Sequence, residues 1–214
     1  MVWLAGTLPL TRAPQGPTVP GPTQRRGPFP QGIQTKMPVV VADEGNKRVG
    51  GPSAAEVTQC VTDIIGWFQR SPEDWSGSSG APSADIQRLE KTLEMEIPAD
   101  VEVMLGQSNG GLWFMEKEAF SIDKMRDQLM ENDGASWWRS GLIPFAGDDS
   151  TLLVVDTKDG GAVYEWDVGE SEPSDKLADG LGAYLEQYRD TLLGGGCEYL
   201  DGCGVVEKVG ASRK

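Results

Sequence analysis

The sequence contains no histidine among its 214 residues. Histidine is the side chain that most often transfers protons near neutral pH and the commonest metal ligand. Its absence excludes the Ser-His and Cys-His pairs of covalent catalysis and every metal site that uses imidazole. We therefore expect no histidine-dependent catalysis or metal binding. We also predict that no cofactor is used and, on the family resemblance described below, that the protein is not an enzyme.

Cysteine is scarce as well. Cys60, Cys197 and Cys203 are too few for a disulfide framework or a four-cysteine zinc site. Cys60 falls on the apolar side of a predicted helix, where it is expected to be a small core residue. Whether Cys197 and Cys203 pair stays open at this stage. The simplest inference is a reducing intracellular compartment, with the cytoplasm as the first choice.

The chain also lacks long hydrophobic runs. None approaches the roughly 18 residues that a membrane span requires, so we predict no membrane insertion. The first ten residues are apolar, but they contain a proline and no basic start, which makes a poor secretory signal. Residues 1–42 carry four basic residues and no acidic one. That composition is compatible with a transit peptide, so organelle import stays an alternative.

Charge is divided unevenly along the chain. Residues 1–52 hold six basic and two acidic residues, a net charge of +4, whereas the remainder holds 13 basic and 31 acidic residues, a net charge of −18. An acidic body repels phosphate backbones, so we predict no nucleic-acid partner. A protein partner with basic character or a cation fits this charge better, and solubility alone is the other explanation for it.

The first 52 residues are rich in proline, glycine, threonine and glutamine, with almost no periodic apolar pattern. Such a segment cannot bury enough surface to offset its ordering entropy, and we predict a disordered or extended arm. Its PxxP spacings lack the basic neighbour typical of SH3 ligands, which favours a linker or tail. Met37–Val41 is the one place in the arm where an edge strand is predicted.

Helical signals begin after the arm. Ser53-Ala54-Ala55-Glu56 is a capping box, followed by apolar residues at helical spacing over 54–69. A Gly/Ser/Pro-rich loop follows at 71–82, with Trp75 as its anchor. The remaining predicted elements are a helix capped by Ser83, a helix with Pro98 in its first turn that ends at Ser108–Gly111, a strand at Leu112–Met115, a helix from Phe120 to Met130, a helix marked by Leu177 to Leu192, and a hairpin around Asp201-Gly202.

The stretch Gly141–Asp167 predicts a β-meander at the centre of the domain. Its apolar start contains Pro144, which favours a strand end or a sheet edge. Thr151–Asp156 is a continuous apolar run typical of a strand covered on both faces, and Ala162–Asp167 alternates. The turns between them are predicted at Gly147–Ser150 and Lys158–Gly161.

The order of these motifs resembles the SUKH superfamily, the Smi/Knr-type domain. The motifs that carry the resemblance are Ile97–Asp100, Asn109–Gly111, Ile143–Ala146, Asp148, Leu152–Asp156 and Val163–Trp166. Such domains occur in fungal cell-wall-synthesis regulators, in a tubulin polyglutamylase subunit and in bacterial toxin-immunity proteins. The resemblance implies an α+β fold, with a central, mostly antiparallel twisted sheet flanked by helices, that binds proteins without catalysis.

The resemblance covers roughly residues 83–193 and sets the predicted organisation of the chain. The segments are an arm at 1–52, a helix and loop at 53–82, the SUKH-like domain at 83–193, and a hairpin or tail at 194–214. One departure lies in the final helix, where Leu181-Gly182-Ala183-Tyr184 stands in place of the family's usual Ser-Phe pair.

Candidate site residues come from two groups. Asp148, Asp149, Asp156 and Asp159 crowd two turns, where backbone capping is favoured over catalysis or metal binding. Tryptophan is enriched at binding hot spots, although core packing is the favoured role for each one taken singly. The predicted partner-binding residues are Trp113, Trp138, Phe145, Asp148, Asp149 and Trp166.

The sequence therefore predicts a non-enzymatic protein-interaction module with a regulatory or scaffolding role. Two alternatives stay open. One is an immunity-type inhibitor of a basic toxin, which an acidic body suits. The other is an accessory subunit of a large assembly, held by an N-terminal arm that orders on binding. The partner's identity and the oligomeric state are left open.

Overall fold

A computed structural model of the chain describes residues 51–70, Trp75 and residues 77–208. This part of the chain holds five α-helices and eight β-strands. The helices are α1 (Ala54–Arg70), α2 (Ser83–Leu93), α3 (Ala99–Gln107), α4 (Ile122–Asn132) and α5 (Leu181–Leu193). The strands are β1 (Trp113–Phe114), β2 (Lys117–Ala119), β3 (Leu142–Gly147), β4 (Thr151–Asp156), β5 (Ala162–Asp167), β6 (Asp175–Ala178), β7 (Cys197–Leu200) and β8 (Gly204–Glu207).

Six of the strands form one curled antiparallel sheet in the order β1-β2-β3-β4-β5-β6. Each strand pairs with its neighbour in sequence, so short turns suffice to connect several of them. β7 and β8 form a separate two-stranded hairpin around Asp201-Gly202. The predicted α+β class, the central antiparallel sheet and the C-terminal hairpin are confirmed.

Pro144 lies inside the sheet and not at its end. It sits opposite Val154 of β4, and the register shifts between Pro144 and Ala146. β2 pairs only with Ala146 and Gly147, so among the described strands the half of β3 that holds Pro144 has no neighbour on that side. A proline without an N–H is tolerated at such an uncovered stretch beside a bulge. The predicted strand end or edge is thus wrong for β3 as a whole, although the local environment is edge-like.

The core lies between the sheet and α5. Aromatic side chains from both layers meet there, with the Phe114 and Phe145 rings 5.6 Å apart and the Phe114 and Tyr188 rings 5.2 Å apart. α1 packs against both α3 and α5. Its buried residues recur at helical spacing, as the sequence predicted: Val57, Cys60, Val61, Ile64 and Phe68.

The predicted capping box at the start of α1 is confirmed. The Ser53 N–H donates to Glu56 Oε2 at 2.8 Å, and the Glu56 N–H donates to Ser53 Oγ at 3.4 Å. Trp75 anchors the following loop as expected, because its Nε1–H donates to the Gly111 carbonyl at 2.6 Å. Its ring also stacks on Phe68, with centroids 5.3 Å apart.

Several boundaries differ from the predicted ones. Ser83 is the first residue of α2, and the residue before it, Pro82, makes no side-chain cap. Pro98 likewise precedes α3. Leu177 belongs to β6, which the sequence reasoning missed, and α5 begins four residues later at Leu181. The predicted strand at Leu112–Met115 is only two residues long, and β2 was not predicted.

The surroundings of Gly182 in α5 leave no room for a side chain at this position. A Cβ atom at this position would lie 2.6 Å from Pro52 Cγ and 2.9 Å from Val57 Cγ2. Both contacts come from α1 and the residues just before it, so this helix occupies the room that a side chain would need. The Gly182 N–H instead donates to Asp100 Oδ2 of α3 at 3.0 Å, which caps the start of α5.

Some predictions fall on residues outside the described ranges. The arm before residue 51, including the strand expected at Met37–Val41, is among them.

Cys60, Cys197 and Cys203 are all free thiols, so Cys197 and Cys203 do not pair. None of the helices at residues 51–70 and 77–208 is long and apolar enough to pass through a bilayer.

Candidate protein-binding groove

A groove of about 800 Å³ opens where the β1–β2 hairpin, one face of α4 and the β3–β4 turn meet. We call it the acidic groove. Gly147 forms part of its floor, and a Cβ atom there would lie 2.8 Å from the Thr151 carbonyl oxygen. The charged and aromatic residues that line the groove are Trp113, Glu116, Glu118, Phe120, Lys124, Glu131, Asp148 and Asp149.

The sheet register sets the positions of the groove residues. Trp113 of β1 pairs with Glu118 of β2, Glu118 pairs with Gly147 of β3, and Gly147 pairs with Leu152 of β4. These residues form one row across four strands, which we call the cross-strand row. Directly opposed residues project from the same face of a sheet. The groove therefore runs across the strands, on a frame that their hydrogen bonds hold.

Asp148 is fixed in the β3–β4 turn by three hydrogen bonds to one carboxylate oxygen. Its Oδ1 accepts from Ser150 N at 2.7 Å, from Ser150 Oγ at 2.8 Å and from Thr151 N at 2.8 Å. Partial burial raises the pKa of Asp148, but these hydrogen bonds outweigh it and hold the pKa below its usual value. The carboxylate is thus charged, and no described residue donates a hydrogen bond to Oδ2.

This shift makes stability depend on pH. Because the folded-state pKa lies below the unfolded value of about 3.9, the Asp148 charge contributes stability above that pH. The contribution is lost as the pH falls through the folded-state pKa. We expect wild type to be more stable than Asp148→Asn above about pH 5, and the gap to shrink below about pH 4. Urea unfolding across this range measures the gap, and a gap that is constant with pH contradicts the assignment.

The groove carries more negative charge than its own cation can balance. Five carboxylates line it beside one lysine, Lys124, whose Nζ lies 5.9 Å from the Phe120 ring centroid. Glu116, Glu118 and Asp149 are exposed, and none of them forms an ion pair with a described residue. Uncompensated charge in a concave site raises the local concentration of cations and cationic groups.

The β1–β2 turn, which forms one wall of the groove, is fixed by hydrogen bonds from α5 and β8. Met115 has φ +56°, a left-handed conformation that non-glycine residues seldom adopt. Tyr188 of α5 donates its hydroxyl hydrogen to the Trp113 carbonyl at 2.6 Å, and the Met115 N–H donates to the same hydroxyl at 3.3 Å. The Val205 N–H of β8 donates to the Met115 carbonyl at 2.9 Å. A strained backbone fixed by two elements is a frequent feature of binding sites.

Three of the predicted site residues, Trp113, Asp148 and Asp149, line the acidic groove together. Trp138 is half-buried beside Trp137, their rings 5.5 Å apart, and it does not line the groove.

Phe145 and Trp166 need correction. Both are 0% exposed, so they are core residues and cannot contact a partner in this structure. Trp166 has a structural role: its Nε1–H donates to the Glu170 carbonyl at 2.7 Å, and the Arg139 guanidinium lies 4.9 Å from its ring centroid.

The sequence reasoning missed other groove residues. Glu116 and Glu118 were not predicted because β2 and its turn were not predicted. Val168, which lines the groove and is 46% exposed, was assigned only to a loop. The signal that would have found the hairpin is the pair of apolar runs Leu112–Met115 and Ala119-Phe120 around a short polar segment, which is the pattern of two strands and a turn.

The turn aspartates serve the fold more than they serve chemistry. Asp156 is buried, and its Oδ2 accepts from Arg139 at 3.0 Å while its Oδ1 accepts from the Lys158 N–H at 2.9 Å. Asp159 accepts from the Tyr164 hydroxyl at 2.5 Å. Across residues 51–70 and 77–208, no group of three or more His, Cys, Asp or Glu side chains could hold a metal ion.

A curled antiparallel sheet of six strands with helices packed against it defines an α+β domain of the SUKH type. The model of the SMI1/KNR4 family (SUKH-1) matches residues 80–187, just over half of the chain, and the chain belongs to this family. Members of the family are generally non-catalytic. A comparison with curated proteins found no match. α1 and the β7–β8 hairpin lie outside the matched range, and the four-segment organisation predicted above stays a prediction.

Proposed function

We propose that this protein is a non-catalytic protein-binding module whose acidic groove receives a basic segment of a protein partner. Family membership supports the non-catalytic part of the proposal. The observation that carries the rest is the set of exposed carboxylates without cationic partners in the groove, Glu116, Glu118 and Asp149. Lysine or arginine side chains of a partner would supply the missing charge.

The groove suits binding because its groups are fixed before a partner arrives. The cross-strand row holds Trp113 and Glu118 in register, and three hydrogen bonds hold Asp148. Groups that are already ordered lose little conformational entropy on association. Charges at the rim mostly raise the association rate and orient the partner. We infer a regulatory or scaffolding role in which binding itself is the output.

The cysteines bear on the cellular location of the protein. Cys60, Cys197 and Cys203 are free thiols, and free thiols fit a reducing intracellular compartment. A cytoplasmic location, with organelle import through the N-terminal segment as the alternative, stays a prediction.

Neutralising the groove tests the proposal. The test variant combines Glu116→Gln, Glu118→Gln and Asp149→Asn, which leaves the structural carboxylate of Asp148 in place. We expect it to recover at least about tenfold less partner than wild type in affinity capture at low salt, because it loses the charges that attract a basic segment. Quantitative mass spectrometry of the captured proteins gives the ratio.

The matched control combines Glu94→Gln, Glu96→Gln and Asp201→Asn. It removes the same number of exposed charges, and none of its three positions lines the groove. We expect the control to recover the partner as wild type does. Equal recovery by wild type, control and groove variant would show that the groove is not the binding site.

A further inference from the structure

The acidic groove has an apolar contact at each end. Trp113 lies at the β1 end, half-buried. Val168 lies at the other end, where its N–H donates to the Ser150 carbonyl at 2.9 Å, and 46% of the residue is exposed. Glu118, Asp148 and Asp149 belong to the strand and turn between them. Along the sheet, these acidic residues thus lie between Trp113 and Val168, and Phe120 and Lys124 also line the groove.

The strand spacing gives the distance between these ends. The cross-strand row passes from β1 to β4, and β5, which Val168 follows, is the next strand. Neighbouring strands lie about 4.8 Å apart, so three to four spacings correspond to about 14 to 19 Å. An extended chain advances about 3.4 Å per residue, and about four to six residues cover this length.

The sheet frame of the groove favours an extended occupant. A single extended strand presents alternate side chains to its two sides, so one set can follow the lining from Trp113 past Glu118 to the β3–β4 turn while the other set stays outside the groove.

The Trp113 ring is packed against the C-terminal hairpin. The Tyr199 ring of β7 lies 6.5 Å from the Trp113 ring. On another side, a Cβ atom at Gly204 would lie only 2.5 Å from Trp113 Cε3, so the glycine backbone packs directly on the indole. An aromatic surface held in this way can receive an apolar side chain with little loss of rotamer freedom.

We propose that the segment bound in the acidic groove is a short extended stretch with an apolar residue at each end and lysine or arginine between them. One apolar side chain contacts Trp113 and the other contacts Val168, while the basic residues face Glu118, Asp148 and Asp149. This specificity rests on the proposed function, because it concerns the same groove. It adds a spacing rule: three residues separate the two apolar residues, which places them about 14 Å apart with both side chains on the same side of the extended segment.

Three fluorescein-labelled peptides of equal charge test the spacing rule by fluorescence anisotropy. The first has a leucine at each end of about three lysines, the second has serines at those ends, and the third has the two leucines adjacent in the middle. We expect the first peptide to bind about tenfold more tightly than the other two, because only it reaches both apolar contacts.

Variants of the chain separate the two proposals. Val168→Ser changes an exposed residue and is expected to remove about half of the logarithmic advantage of the first peptide, without weakening the serine-ended peptide. Trp113→Ala is expected to act in the same way at the other end. If the three peptides bind equally and Val168→Ser changes nothing, the spacing rule is overturned while charge-driven binding stands. If the triple groove variant binds the serine-ended peptide as wild type does, the proposed function itself fails.

Discussion

Replacing Gly80 with alanine is expected to lower the free energy of unfolding by about 3 kcal/mol. The added Cβ would lie 1.8 Å from the Gly106 carbonyl oxygen and 2.5 Å from its carbonyl carbon, so the clash is with backbone. Hydrogen bonds on both sides of Gly80 keep its backbone from moving away from Gly106. The Ala81 N–H donates to the Leu105 carbonyl at 2.8 Å, and the Asn109 N–H donates to the Ser79 carbonyl at 3.1 Å. Urea unfolding gives the difference directly.

Gly106, the other residue of this contact, supplies the control. Gly106 lies within α3, and a Cβ atom there would meet no atom within 4 Å. Gly106→Ala is therefore expected to raise stability by roughly 0.5 to 1 kcal/mol, since alanine is the better helix former. If Gly80→Ala is as stable as wild type, the close approach of the two backbones is wrong.

Replacing Tyr188 with phenylalanine is the second large effect, with an expected loss of about 2 kcal/mol. The hydroxyl is the shared partner of the Trp113 carbonyl and the Met115 N–H, and its removal leaves both backbone groups in a buried site without that partner. Burial raises the pKa of Tyr188 well above its usual value, so the hydroxyl keeps its proton and can donate at neutral pH. Thermal or urea unfolding measures the loss.

Tyr184→Phe is the matched control. Tyr184 lies one turn earlier in α5 and stacks on Tyr188, with centroids 6.4 Å apart, but no described residue hydrogen-bonds to its hydroxyl. We expect this variant to stay within about 0.5 kcal/mol of wild type. Tyr188→Phe should also weaken peptide binding, because the turn that carries Glu116 loses a contact. If both variants lower the free energy of unfolding equally, the packing around the two rings, and not the hydrogen bonds of Tyr188, determines the loss of stability.

Much of the fold could be predicted because its strongest signals are local. The capping box at Ser53 and the helical spacing of Val57 to Phe68 specify α1 within one residue. The apolar run Thr151–Asp156 and the alternating Ala162–Asp167 match β4 and β5 exactly in their bounds. In these segments the apolar periodicity and the flanking turn residues predict the same element. Such agreement between local propensity and the global fold is what makes an element predictable from its sequence.

The acidic groove was only half predicted, because the local signal of β2 is weak. All three residues of Lys117-Glu118-Ala119 are of types depleted in strands, and the segment shows no clear apolar alternation. Its strand conformation comes from pairing with β1 and with the end of β3, which are tertiary contacts. Asp148 could be identified because turn chemistry is local, whereas Glu118 could not.

The errors at Phe145 and Trp166 have a different cause. Alternation assigns residues to the two faces of a strand but does not say which face is covered. In β3 every residue is buried, and in β5 Trp166 is buried with the Arg139 guanidinium over its ring. Aromatic residues in a sheet are therefore ambiguous between core and contact surface until the packing of the other elements is known.

The Tyr188 hydroxyl and the Val205 N–H, which hold the Met115 turn, both lie outside the part of the chain that matches the family. The range that matches the family ends at Gln187, one residue before Tyr188 and well before Val205. A fragment limited to residues 80–187 would retain every carboxylate of the groove, yet it would lose both tethers that keep their scaffold in its left-handed bend. If the proposed function holds, substitutions downstream of Gln187 are expected to change which partner binds without altering any residue that lines the groove.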